Sequence, residues 1–240
     1  MNETDAAVPS RVPLRDRLHG RRRGHKLRAN QQRLLDEALP RLKLSLDELA
    51  AKGPAGIFPT PPRAVWLEIG FGGGEHLAAQ AERNPDIGLI GCEVFENGIV
   101  TMLGHVTRTG STNIRVVTED ARQVLDILPE GSLDRVFILF PDPWRKVRHH
   151  KRRLVSTETL DRLAELMTDG AELRLGTDHV DYLRWMLARA TAHPAFEWLA
   201  RGPDDWRERP EDWPQTRYEA KAITQGRRPA FLRLKRRPRT

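Results

Sequence analysis

Leu139-Phe140-Pro141-Asp142-Pro143-Trp144 runs without a break into Arg145-Lys146-Val147-Arg148-His149-His150-Lys151-Arg152-Arg153. The residues leading into it, 133–140, are apolar and rich in Val, Ile and Phe apart from Asp134 and Arg135. Such a run predicts a strand buried on both faces, as in a parallel sheet. Pro141 and Pro143 then stop the strand, because proline has no N–H to give to a sheet ladder. A carboxylate and a tryptophan are thereby delivered to a strand's carboxyl end, where open α/β sheets bind ligands. Six Lys/Arg and two His occupy eight of the nine positions that follow. An acid, an aromatic ring and a cationic belt at one sheet edge suit a nucleic-acid base held beside a reactive group. The plainer alternative is a strand end followed by a solvated basic loop.

A chain of 240 residues has room for one domain with appendages and a full α/β core. The single cysteine, Cys92, excludes a disulfide framework and a Cys-based zinc site. His149 and His150 have no partner cysteines at ligand spacing, so no metal is expected. No apolar run approaches a membrane span, and Met1–Asp5 lacks the basic start of a signal peptide, so a cytoplasmic protein is expected. The net charge of +7 conceals an asymmetry. Segments 11–33, 145–153 and 227–239 hold 22 of the 40 Lys/Arg and one acid, Asp16; the remainder has 18 bases against 32 acids. Basic patches on an acidic body favour a polyanion partner such as nucleic acid.

Residues 1–30 are expected to form a flexible basic arm, with Arg21-Arg22-Arg23-Gly24-His25-Lys26 crowding like charges, and 31–240 the main domain. Leu34, Leu35 and Leu39 stand at helical spacing until Pro40, which should end or kink that helix. Ser45-Leu46-Asp47-Glu48 fits a capping box. Gly53–Pro62, with four prolines and two glycines, marks a linker. Strands are expected near 64–69, 87–93, 114–118, 133–140, 171–176 and 229–235, and helices near 74–82, 96–108, 121–128, 157–167 and 179–191. That alternation predicts an α/β fold: a mostly parallel sheet with helices on both faces, closed by an antiparallel C-terminal strand.

The first strand runs into Leu67-Glu68-Ile69-Gly70-Phe71-Gly72-Gly73-Gly74-Glu75. Glycine at 70, 72 and 74 permits a tight turn and close approach to a ligand before a helix begins. A dinucleotide fingerprint would need a small residue at 75, where Glu stands, so pyrophosphate binding is disfavoured. Glu68 precedes the turn, Glu93 ends the second strand and Asp120 the third. Taken singly, each also fits a helix N-terminal carboxylate. Together, beside a glycine loop, they suit S-adenosylmethionine: an acid for its ammonium group, Glu93 for both ribose hydroxyls, and Asp120 near an adenine amino group.

These residues resemble the bacterial tRNA (guanine-N7)-methyltransferase family over roughly residues 20–236. The resemblance is carried by Leu67–Gly74, Gly91–Glu93, Phe140–Arg153, Gly176-Thr177-Asp178 and Thr216-Arg217-Tyr218-Glu219. It implies a Rossmann-like class I methyltransferase that methylates a guanine of the tRNA variable loop with S-adenosylmethionine. Residue by residue, it implies that Glu68, Gly70, Gly72, Gly74, Glu93 and Asp120 bind cofactor and that Asp142 stands between cofactor and guanine. Lys146, Asp178, Thr216, Arg217, Tyr218 and Glu219 would contact substrate, and Arg148, His149, His150, Lys151, Arg152 and Arg153 the RNA. Neither a membrane nor an obligate protein partner is implied.

The later motifs also have structural readings. Thr216–Glu219 matches a helix capping box with Gly226 as its stop, and Asp178 fits a cap for helix 179–191. Met102, Met167 and Met186 fit core faces, and Trp198, Trp206 and Trp213 the packing of late connections. Two rivals remain at this level: a methyltransferase acting on exocyclic amines, and a non-catalytic RNA-binding protein on the same scaffold.

Overall fold

The computed structural model describes residues 22–239. Two helices come first, α1 (Ala29–Leu42) and α2 (Leu46–Gly56). Strand and helix then alternate through β1 (Ala64–Ile69), α3 (Glu75–Arg83), β2 (Ile87–Cys92), α4 (Glu96–Thr109), β3 (Ile114–Val117), α5 (Ala121–Ile127) and β4 (Leu133–Leu139). A 3-10 helix (Val147–Arg152) precedes α6 (Thr157–Leu166), β5 (Met167–Thr177) and α7 (Val180–Ala190). The chain closes with β6 (Phe196–Trp198), α8 (Asp204–Arg207), α9 (Arg217–Thr224) and β7 (Ala230–Arg236).

The strands lie in the order β3-β2-β1-β4-β5-β7-β6. The first five pair in parallel, and β7 runs antiparallel between β5 and β6. Alternate residues feed two cores. Val65, Leu67 and Ile69 of β1 pack with α2, α5, α6 and α7, whereas Trp66 faces the side of α1, α3 and α4. This is the two-sided burial that the apolar runs predict. The chain steps outward from β1 through β2 to β3 and then crosses back to β4 on the other side of β1, so a crevice opens between the carboxyl ends of β1 and β4.

Four local features differ from expectation. α1 continues through Pro40 to Leu42, because Leu35, Leu39 and Leu42 bury together against the sheet side that carries α4. Gly53–Pro62 is no linker between bodies: α2 kinks at Gly53, and Ile57 and Phe58 bury in the main core. β6 is a three-residue strand, too short to leave a periodic signal. β5 starts at Met167, directly after α6, with an irregular register between Leu133 and Arg135 of β4.

Most of the expected arm over 1–30 lies outside the described residues. Its end docks on α4: Gly24 N donates to Asn97 Oδ1 at 2.7 Å, Asn97 Nδ2 to His25 O at 2.9 Å, and Glu96 N to Arg22 O at 2.9 Å. The C-terminal basic patch also has internal work. Arg233 pairs with Glu172 at 2.5 Å and Arg239 with Asp169 at 2.6 Å, while Arg236 Nε donates to Ala164 O at 2.9 Å. These cations tie β7 to β5 and the end of α6.

Gly88 on β2 leaves the space that the Phe58 ring fills, and a Cβ there would sit 2.7 Å from Phe58 Cζ. Gly88→Ala should destabilise the protein by about 1–3 kcal/mol through overpacking. Urea unfolding checks this, and the cost of Gly88→Ala should shrink when it is measured in a Phe58→Ala background, where the clashing ring is gone.

Candidate active site

A cleft of about 810 Å³ opens over the carboxyl ends of β1 to β4. Its floor is the turn after β1, where Gly70, Gly72 and Gly74 have φ of +73°, +57° and +74°. Those left-handed values explain why glycine occupies the three positions. Gly72 also has no room for a side chain, since a Cβ would stand 2.6 Å from Tyr218 Cε2. Gly70 N donates to Cys92 O at 2.8 Å and Gly72 N to Glu93 Oε2 at 2.8 Å, which fastens the turn to the end of β2.

Glu93, Asp120 and Asp142 line the cleft together. Glu93 Oε1 accepts from Val94 N at 2.8 Å and Phe95 N at 2.9 Å. Burial pushes the Glu93 carboxyl above the usual range, and the three backbone N–H groups oppose that shift. Asp120 caps α5 by accepting from Arg122 N at 3.0 Å, and the Arg122 fork grips it at 3.1 and 2.8 Å. The cap and the cleft position therefore coexist in one residue.

Asp142 stands in the strained segment of the site. Phe140 and Trp144, with φ of +52° and +44°, are the non-glycine residues at positive φ among the described residues. Bulky side chains persist there only when their surroundings over-determine the backbone, and such strain gathers at functional sites. Phe140 N is held by Gly176 O at 2.8 Å, and Pro143 O accepts from Arg153 Nε at 2.9 Å. Desolvation raises the Asp142 carboxyl although the side chain opens to the cleft.

A family model described as "Putative methyltransferase" matches residues 62–232. The tRNA (guanine-N(7)-)-methyltransferase of Rhodospirillum rubrum is 55% identical over 235 residues, covering 97% of this chain and 92% of that protein. The protein of the same name from Paramagnetospirillum magneticum is 53% identical over 227 residues, covering 94% of each. The chain belongs to the tRNA (guanine-N7)-methyltransferase family. Among solved structures, the 16S rRNA methyltransferase KamB superposes with a TM-score of 0.54 at 14% identity, over 81% of this chain and 95% of that one. An antibiotic-related methyltransferase gives 0.52 at 18% identity, over 81% and 95%. These two share the class I methyltransferase fold.

The methyltransferase does not bring every expected residue into the cleft. Glu68 points sideways under α3, where its Oε2 lies 2.7 Å from His76 Nδ1. His76 Nε2 lies 3.2 Å from Gln80 Nε2, which donates to Asp212 O at 2.7 Å. Gly74 instead starts α3. Asp178 pairs with Arg227 at 2.6 Å, and the cap of α7 moves one residue on, to His179. Thr216 caps α9 as expected, accepting from Glu219 N at 3.2 Å, and Glu219 turns inward to Arg209 at 3.1 Å. Arg217 lies 3.7 Å from Glu75, and of this quartet only Tyr218 lines the cleft.

The basic belt divides. Arg145, Lys146, Arg148 and Lys151 are exposed, and Arg152 lies over the Trp144 ring at 5.1 Å. His149 and His150 are half-buried, edge-on to Trp144 and Trp185 at 5.9 and 5.4 Å. Arg153 departs from the RNA-facing expectation: its side chain is 0% exposed and faces protein. Phe95, Trp185 and Arg189 also line the cleft. Nothing in sequence spacing groups the three, because Phe95 comes from the start of α4 and Trp185 and Arg189 from one face of α7, distant in the chain.

The raised Asp142 pKa has a consequence for stability. In the folded state the carboxyl holds its proton to higher pH than in the unfolded chain, so ionisation penalises folding at neutral pH. Asp142→Asn should therefore raise Tm near pH 7. That gain should vanish as pH falls below the unfolded value of about 3.9. Differential scanning calorimetry across this range checks both halves.

Proposed function

We propose that this enzyme transfers a methyl group from S-adenosylmethionine to N7 of a guanine in the variable loop of tRNA. The observation that carries the reading is Asp142, held in a strained turn in the same cleft as Glu93, Asp120 and the glycine turn. The donor set suits this cofactor. Three carboxylates around the turn would repel phosphates, but they complement ribose hydroxyls, an amino group and positive charge. Cys92, Val94, Ile69 and Leu139 offer apolar surface in the same cleft.

In this reading Glu93 takes the ribose hydroxyls and Asp120 the adenine side, with Gly70 and Gly72 allowing close approach. Glu68, buried and joined to His76, supports the turn from below and acts on the cofactor only through it. S-adenosylmethionine supplies an electrophilic methyl group. Guanine N7 carries an in-plane lone pair, so no residue has to remove a proton before transfer. The protein's task is alignment, which lowers the barrier entropically. Asp142 faces the base and stabilises the positive charge that develops on its imidazole ring. Tyr218, across the turn at Gly72, bounds the guanine. Lys146, Asp178 and the other residues of 216–219 are substrate contacts or their supports. The exposed belt at the cleft mouth meets the RNA backbone. A cytoplasmic location follows from the same reading, since tRNA is the substrate.

The direct test is incubation of the protein with labelled cofactor and unmodified tRNA, followed by nucleoside analysis. Label in 7-methylguanosine is expected; label on an exocyclic amine, or none, defeats the reading. Asp142→Asn keeps shape but loses charge, and should lower the single-turnover rate by about 10²–10³-fold while tRNA affinity stays close to wild type. The wild-type rate should be nearly flat with pH until Asp142 itself protonates. Replacing Arg148, Lys151 and Arg152 with Ala should flatten the salt dependence of tRNA binding by about 0.7 in log–log slope per lost single-strand contact. An unchanged slope would make the belt a solvated face.

A further inference from the structure

Arg153 ends a belt of cations, yet it alone of the six has its side chain wholly inside the protein, at 0% exposure. Its Nε donates to Pro143 O at 2.9 Å, on the residue directly after Asp142. Its Nη2 pairs with Asp181, beside the start of α7. The guanidinium lies 4.8 Å from the Trp185 ring centre and 5.0 Å from that of Tyr182. The backbone next to it is fastened to the same helix. Tyr182 Oη accepts from Val155 N at 3.1 Å, and Trp185 Nε1 donates to Val155 O at 2.7 Å. A rigid path thus runs from α7 through Arg153 to the peptide that follows Asp142.

That peptide needs holding. Trp144 sits at φ +44°, a conformation that a bulky residue leaves unless its neighbours prevent it. Relaxation of Trp144 toward extended backbone would rotate the Pro143–Trp144 peptide and carry Asp142 with it. The hydrogen bond from Arg153 Nε blocks that rotation. The arrangement also costs stability, since Arg153 Nη1 is buried without a hydrogen-bond partner.

We infer that Arg153 is a positioning residue for methyl transfer, clamping the Pro143 carbonyl so that Asp142 is held in place, and that it does not contact RNA. The inference rests on the role of Asp142 proposed above. A guanidinium is required because it directs separate N–H groups at Pro143 and Asp181 while its plane lies against two rings. The compact ammonium of lysine offers no such fork.

The test compares full-length Arg153→Lys, Arg153→Ala and Asp181→Asn with the wild type and with Asp142→Asn. Three quantities are measured: the single-turnover rate at saturating tRNA, tRNA affinity against salt, and S-adenosylmethionine affinity by calorimetry. Arg153→Lys and Arg153→Ala should each lose roughly 10²-fold in rate, the cost typical of a small misplacement. Their cofactor affinity and the slope of log affinity against log salt should match wild type. Asp181→Asn, changed on the exposed side of the clamp, should lose rate in the same direction to a smaller extent. It keeps the question open to refutation if both Arg153 variants fail to fold. A wild-type rate in Arg153→Lys, or in Asp181→Asn where the Arg153 variants do not fold, overturns the clamp. So does a reduced salt slope, which would make Arg153 an RNA contact. A fast Asp142→Asn enzyme defeats the role of Asp142 itself, whereas a slow Asp142→Asn beside a fast Arg153→Lys defeats the clamp alone.

Discussion

Parallel pairing of β1 with β2 on one side and β4 on the other is the constraint on which the site depends. Parallel strands end at the same edge, so the glycine turn, Glu93, Asp120 and Asp142 share one rim. The reversal of strand order at β1 then parts the loops that follow β1 and β4 and leaves a crevice. Apolar residues on both faces hold the strands in register, and a one-residue slip would turn each side chain to the opposite face. Chemistry at the rim is therefore positioned by packing in the layer beneath it.

Arginine has several distinct jobs here. Arg148 stands in solvent, while Arg153, five residues on, is buried against α7. Arg174 is buried between Phe137 and Trp213, with its guanidinium 5.7 and 5.8 Å from their ring centres and 2.6 Å from Asp212. Asp212 and Trp213, from the segment before α9, pack over it. Arg236 and Arg239 bind the C-terminus to carbonyls and to Asp169. A basic patch counted along the chain overstates the surface open to a polyanion, because burial and pairing remove much of it.

The rim is built against local stability. Phe140 and Trp144 hold unfavourable backbone angles, and Glu93 and Asp142 carry carboxyls that burial pushes upward. The apolar core offsets these costs, and the strain keeps a charged group fixed where solvent would otherwise let it move. Glu68, His76, Gln80 and Asp212 extend the same fixing away from the cleft, linking the end of β1 to the segment before α9.

Local chemistry made the element order legible. Apolar runs marked β1, β2 and β4, glycines marked the turn after β1, and Ser45 and Thr216 marked helix starts that the structure contains. Period and capping depend on neighbours within a few residues, so sequence alone determines them. The Phe140–Arg153 motif likewise placed an acid at a strand end beside concentrated cations. Contacts between distant segments decided the rest. Whether a cation meets solvent or Pro143, whether Glu68 faces the cleft or His76, and whether Gly53–Pro62 links or packs each depend on elements far apart in the chain. Arg148 and Arg153 look alike in sequence, and only the docking of α7 beneath the second makes one a surface charge and the other an internal brace.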